Sequence, residues 1–150
     1  GPRDQLSLAD EARGSVVIIT GDVPMGVSAQ DARAHIVLIG LTNGGSAFSP
    51  VLVTPDALAE QWDGGALSGT LCVDLNGAAH ARVETGAGED FGQRVADAAK
   101  DRGLCAGTII GSSYGADALQ LNAGDALRIW MDDARHKPIF GVIEQEALAG

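Results

Sequence analysis

A chain of 150 residues with a net charge of −10, 45% hydrophobic and only 4% aromatic residues is long enough for one self-standing core and too apolar to be disordered. Its acidity disfavours nucleic acid and anionic membranes as partners, and no apolar run approaches the ~20 residues of a membrane span. Gly1-Pro2-Arg3-Asp4-Gln5 has no basic segment leading into an apolar one, so no signal peptide is read there, and a cytoplasmic protein with Cys72 and Cys105 as reduced, buried thiols is expected.

With so few aromatics the core must be aliphatic, and 21 glycines favour a turn-rich β protein. In chain order, the apolar run 15–20 predicts a strand buried on both faces. A turn follows at Gly21-Asp22-Val23-Pro24, then a short helix over 29–34 capped by Ser28. A second apolar strand is predicted over 35–42 and a third over 49–54, on either side of the break Asn43-Gly44-Gly45-Ser46. Thr54-Pro55 has the N-cap and first-turn chemistry of a helix running to Trp62. Asn76-Gly77 tolerates two positive φ angles and predicts a hairpin of strands 70–75 and 78–83. The stripe Phe91, Val95, Ala98, Ala99 predicts a helix over 89–102, with Glu89 and Asp90 at its start and Lys100 and Arg102 at its end. Strands over 104–111, 126–131 and 139–146 complete about eight strands and three short helices, without regular alternation. The fold class is therefore β-rich α+β, one domain over 1–150.

Few constellations carry chemistry. Gly111-Ser112-Ser113-Tyr114-Gly115 fits the G-x-S-x-G pattern of a nucleophile elbow. Asp132 or Asp133 and then His136 follow in the order of a triad, but within one loop, and the segment after Gly115 lacks a helical pattern. A Gly-flanked strand exit with backbone N–H groups turned to an anion or carbonyl is the simpler reading. His35, His80 and His136 are too scattered for a metal centre, His35 reading as structural and His80 as exposed. Glu144 and Glu146 share one strand face, solvated or cation-binding. Gly44-Gly45-Ser46 lacks the downstream Lys of a P-loop, and no G-x-G-x-x-G follows the first strand.

Six segments, in order, resemble the fumarylacetoacetate hydrolase family. They are the opening Gly1-Pro2-Arg3-Asp4, the strand and turn Ile19-Thr20-Gly21-Asp22-Val23-Pro24-Met25-Gly26, the helix and strand over 31–43, Ala47-Phe48-Ser49-Pro50-Val51-Leu52-Val53-Thr54-Pro55-Asp56, the stretch from Asp90-Phe91-Gly92-Gln93 to Gly111-Ser112, and the closing Gly124-Asp125 to Ile143-Glu144-Gln145. The resemblance implies a rolled, mixed β-sheet or barrel, a homodimer, and a small-molecule oxo substrate. It also implies a divalent metal held by a Glu-x-Glu pair and by an Asp after an Asn. Here Arg13-Gly14-Ser15 stands where the pair belongs, and Gly44 follows Asn43. The sequence thus carries no metal ligands and no cofactor at that place, and the loop over 113–119 is short. The expected site gathers Ser113 and Tyr114 as catalytic residues with Asn43, Ser46, Ser112 and Trp130 around the substrate. Trp130 reads equally as a core or interface residue. Three readings follow: a metal-independent cyclase, isomerase or decarboxylase acting on a small or polyketide-like oxo compound; a non-catalytic scaffold or interaction domain; and a Mg²⁺-dependent hydrolase or decarboxylase that recruits Glu11 or Glu144.

Overall fold

The computed structural model describes residues 4–7, 12–44 and 47–148, with the backbone alone at positions 4, 7, 113 and 114. Its strands are β1 (Asp4–Ser7), β2 (Gly14–Thr20), β3 (Ile36–Asn43), β4 (Ala47–Phe48), β5 (Gly69–Leu75), β6 (Ala78–Thr85), β7 (Ile109–Gly115), β8 (Ala126–Asp132) and β9 (Ile143–Leu148). Two short α-helices, α1 (Ala29–Ala32) and α2 (Phe91–Ala98), lie between them.

β-Branched runs favour extended backbone because their χ1 freedom is already restricted, and they form the central strands. β2 lies between β3 and β7 in a four-stranded sheet ordered β4-β3-β2-β7. A five-stranded sheet runs β1-β9-β8-β5-β6. β1 pairs with β9 in parallel and the other pairings are antiparallel. The sheets are thus mixed, as expected, but remain two open sheets rather than a closed barrel.

Alternation along each strand sends one face inward. Val16 and Ile18 of β2, Ile39 and Leu41 of β3, Leu71 and Val73 of β5, and Leu127, Ile129 and Met131 of β8 form one buried cluster between the sheets. Gly14 marks a close approach: a Cβ there would stand 3.1 Å from Ile129 Cγ2. α2 closes one side of the cluster with Phe91 and Val95. Its N-cap Asp90 accepts from the Gln93 N–H at 3.3 Å, and Asp90 meets Arg33 at 3.6 Å. Gly92 lets α2 press on α1, since a Cβ would meet the Ala29 carbonyl.

The hairpin forms as read: Asn76 and Gly77 have φ of 53° and 80° between β5 and β6. Elsewhere the elements shift. Residues 49–54 make no strand. The Ser49 hydroxyl accepts from the Leu41 N–H and donates to the Val51 carbonyl, each at 3.0 Å. Those bonds curl the chain, and Pro50 has no N–H for a ladder. Only β4 and a single bridge from Val53 to Ile39 remain. The helix expected from Pro55 is a 3-10 segment, Pro55–Gln61, broken at Ala59 (φ 49°), and the Thr54 side chain makes no cap. α2 is shorter than the predicted 89–102, and Ala98 is exposed while Ala99 is buried. The predicted strand 104–111 begins only at Ile109, after a turn in which the Thr108 N–H donates to the Cys105 carbonyl at 3.2 Å. The last strand likewise starts late, after Gly141 (φ 76°). Both cysteines are free; Cys72 is buried as expected, but Cys105 is exposed on that turn.

Candidate functional site

Strand parity decides which expected site residues meet. Gly14 pairs with Asn43 and Val16 with Leu41, so Asn43 faces inward with the core residues. On the other side of β2, Ile18 pairs with Ile110 and Val17 with Gly111. A register shift between Ser15 and Val17 then accommodates 112–114 opposite β2. Ser112 lines a small cleft with Val16. It lies mid-strand, because β7 runs on through Ser113 and Tyr114 to Gly115, so the strand exit expected at Gly111–Gly115 does not form. Ser46 lies outside the described residues.

Asn43 is fully buried, and its amide is committed. Its Oδ1 accepts from the Arg13 N–H at 2.6 Å, and its Nδ2 donates to Gln145 Oε1 at 2.5 Å. This ties the four-stranded sheet to β9 across the interior. Gln145 is equally buried and, among the described residues, its Nε2 has no hydrogen-bond partner. That orphan donor is a costly group to bury.

Trp130 is placed elsewhere. Its neighbours Ile129 and Met131 point inward, so Trp130 faces outward from β8, half-buried between two arginines. The guanidinium carbons of Arg82 and Arg128 stand 5.1 and 5.7 Å from its ring centroid, a cation–π arrangement. Arg82 pairs with Asp74 at 2.9 Å and Arg128 with Glu144 at 3.1 Å. Glu144 is thereby engaged with Arg128 on the outer face. Cys72, opposite Trp130 in the ladder, has its thiol pushed up by burial and by the nearby Asp132 carboxylate.

The triad partners read from the sequence lie at the end of β8 and in the loop after it. Asp133 uses Oδ1 to accept from the Arg135 and Lys137 N–H groups at 2.8 and 3.0 Å. The Lys137 bond holds the Asp133 carboxyl below its ordinary value, as an acceptor that organises its own loop. His136 is exposed beside it, and His80 is exposed on β6. His35 is half-buried, and its backbone carbonyl accepts from the Gly21 N–H at 2.9 Å.

The cleft that Ser112 lines has a free volume of about 10 Å³, between the β2–β7 edge and the end of the β5–β6 hairpin. Val16, Leu67 and Phe91 give it apolar walls, and Thr85, Ser112 and Glu89 also line it. Sequence reading gave Glu89 only the role of a helix-start acid. The turn from β6 to α2 places it otherwise. Gly86 and Gly88 adopt φ of 108° and 76°, and the Glu89 N–H donates to the Gly86 carbonyl at 3.3 Å. The Glu89 side chain is left 5% exposed, 3.9 Å from Arg94 Nε. That same Nε donates to the Gly111 carbonyl at 2.7 Å. Arg94 therefore joins α2 to β7 one residue before Ser112.

The divalent metal implied by the resemblance does not fit the described residues. Gly14 offers no side chain and no room for one against Ile129, and the Asn43 amide is spent on Arg13 and Gln145. Among the described residues no group of three or more His, Cys, Asp or Glu is placed to hold a metal ion. Glu11 lies outside them. Among the described residues no helix is long and apolar enough to cross a membrane.

No family model and no curated protein matches the sequence. Solved structures do. A 5-carboxymethyl-2-hydroxymuconate delta-isomerase from Mycobacterium smegmatis is 17% identical, with a TM-score of 0.69, over 100% of this chain and 65% of that one. Fumarylacetoacetate hydrolase from Exiguobacterium antarcticum is 18% identical (TM-score 0.73; 100% and 62%), and maleylpyruvate hydrolase from Sphingobium sp. SYK-6 is 17% identical (TM-score 0.71; 100% and 62%). The chain spans less than two thirds of the length of these three structures. The likeness shows the fold: a β-rich fold of the fumarylacetoacetate-hydrolase type, in a shorter form.

Proposed function

We propose that this chain is an enzyme of the fumarylacetoacetate-hydrolase type that acts on a small oxo acid without a divalent metal at the place its fold relatives' pattern provides for one. What supports the reading is the fold, shared over the whole chain with an isomerase and two hydrolases, together with a small cleft lined by Ser112 and Glu89. The fold relatives' names, an isomerase and two hydrolases of oxo or enol acids, agree in substrate class. The cleft's free volume is about 10 Å³, room for about one water, so in this reading its walls part to admit a substrate.

In this reading Ser112 donates to the substrate's carbonyl oxygen and orients it, and Ser113 and Tyr114 act next to it on the same strand. Positioning and hydrogen bonding lower the barrier to isomerisation or decarboxylation of an oxo acid. A panel of acylpyruvates and 2-oxo acids, followed by loss of enol absorbance in buffer with EDTA, tests it. At least one compound is expected to turn over, and Ser112→Ala to lower kcat/KM by roughly 10²-fold, the size of a lost oxyanion-type donor. Turnover only after added Mg²⁺ would move the assignment to a metal-dependent hydrolase. No turnover under either condition would leave a non-catalytic module, a reading favoured by the Asn43–Gln145 bond that plugs the interior.

A further inference from the structure

Two Asn-Gly pairs occur in the chain, Asn43-Gly44 and Asn76-Gly77. Such a pair can close on itself, because a glycine has no side chain to hinder attack by its backbone nitrogen on the preceding side-chain carbonyl. The fold treats the two pairs differently. Asn43 is fully buried, with its amide committed to the Arg13 N–H and to Gln145 Oε1. Asn76 and Gly77 stand exposed at the tip of the β5–β6 hairpin. Beyond its chain neighbours, no described atom lies within 4 Å of where a Cβ on Gly77 would be. The Asn76 amide is nevertheless clamped. Its Oδ1 accepts from the Ala126 N–H at 2.9 Å, and its Nδ2 donates to Asp125 Oδ1 at 3.0 Å. The Asn76 N–H donates to the Ala126 carbonyl at 2.8 Å. One residue thus fastens the hairpin turn to the start of β8.

We propose that Asn76 is a site of spontaneous deamidation, timed by the opening of this clamp, and that the acid it yields releases the hairpin turn from β8. The Gly77 backbone nitrogen attacks Asn76 Cγ. Its N–H proton passes to solvent and a new C–N bond forms. The Cγ–Nδ2 bond breaks, and the amide nitrogen leaves as ammonia with a proton taken from water. Water then opens the cyclic imide at either carbonyl, leaving aspartate or isoaspartate at position 76. Either product sets a carboxylate against Asp125 where an amide donor stood, and like charges at that distance repel. Isoaspartate also adds a methylene to the backbone of a two-residue turn, whose geometry leaves little tolerance for length.

The test holds the folded chain in mildly alkaline buffer and follows Asn43 and Asn76 by mass spectrometry of proteolytic fragments, with isoaspartate read by methyltransferase labelling. The same chain in urea gives the unclamped rate at both positions. The folded chain is expected to gain acid at Asn76 and not at Asn43. At Asn76 it should react roughly tenfold more slowly than in urea, the hold-off expected from two side-chain hydrogen bonds. Asp125→Ala frees Nδ2 and should recover about threefold of that rate or more. Exchange of the Ala126 amide hydrogen in wild type should show an opening of matching size, a measure that does not depend on the variant folding. Asn76→Asp should melt below wild type, and aged wild type should fall toward it. Acid formed in the folded chain at Asn43 as fast as at Asn76 overturns the assignment. So does an Asn76 that stays intact in the folded chain while it reacts in urea. An Asp125→Ala rate equal to wild type overturns the clamp, and an Asn76→Asp that melts with wild type overturns the release of the turn.

Discussion

The cysteines show how much one side chain's surroundings decide. Cys105 is exposed and Cys72 is buried with its thiol pushed up by burial and by Asp132. A thiol reagent near pH 8 should label Cys105 within minutes and Cys72 only after denaturant is added, which mass spectrometry of the labelled chain reads directly. The Asn43–Gln145 pair makes a sharper case. Asn43→Ala strands the Arg13 N–H and the Gln145 oxygen in the interior, and a cost of about 2–4 kcal/mol is expected from the usual penalty per stranded group. Gln145→Met removes an acceptor together with a donor that was already unpaired, so it should cost less than half as much by urea denaturation. Asn43 could be found in the sequence because a resemblance marked it. Gln145 could not, since an apolar-polar alternation puts it on either face until the sheets are assembled. Glu89 was hidden by its neighbour: two consecutive acids before a helix read as one capping signal, and only the Gly86 and Gly88 backbone separates their roles.

Among the elements, β2, β3 and the β5–β6 hairpin were legible because β-branched runs and Asn-Gly act locally. The segments around Ser49 and Pro55 were not. There a hydroxyl competes for backbone partners, and a cap residue does not guarantee an α-helix once tertiary contacts bend the chain at Ala59. The hairpin turn also reaches the next loop. Asp125 accepts from Asn76 Nδ2 at 3.0 Å and from the Asn122 N–H at 2.8 Å. The Asn76 bond, followed by the Asn122 bond, holds the Asp125 carboxyl below its ordinary value of 3.8. A carboxyl depressed in the folded state stabilises above its unfolded value, and that stability is lost as pH falls through the folded one. Asp125→Asn should therefore melt below wild type at about pH 5 and converge with it as the pH drops to about 2, measured by thermal melts across that range.

At the scale of the whole molecule, the two sheets are spaced by what Gly14 lacks. Gly14→Val would drive a branched side chain into Ile129, which lies 3.1 Å from the nearest added atom, and a loss of about 1–3 kcal/mol is expected from overpacking. If the cleft depends on that spacing, the variant should also weaken oxo-acid turnover at temperatures where it remains folded. The parallel pairing of Asp4 with Gln145 has a consequence in time. A ribosome adding 5–20 residues per second makes β1 roughly ten seconds before the strand it pairs with. Through that interval β1 is a strand without its ladder, and the five-stranded sheet can be completed at that edge only after β9 has left the exit tunnel.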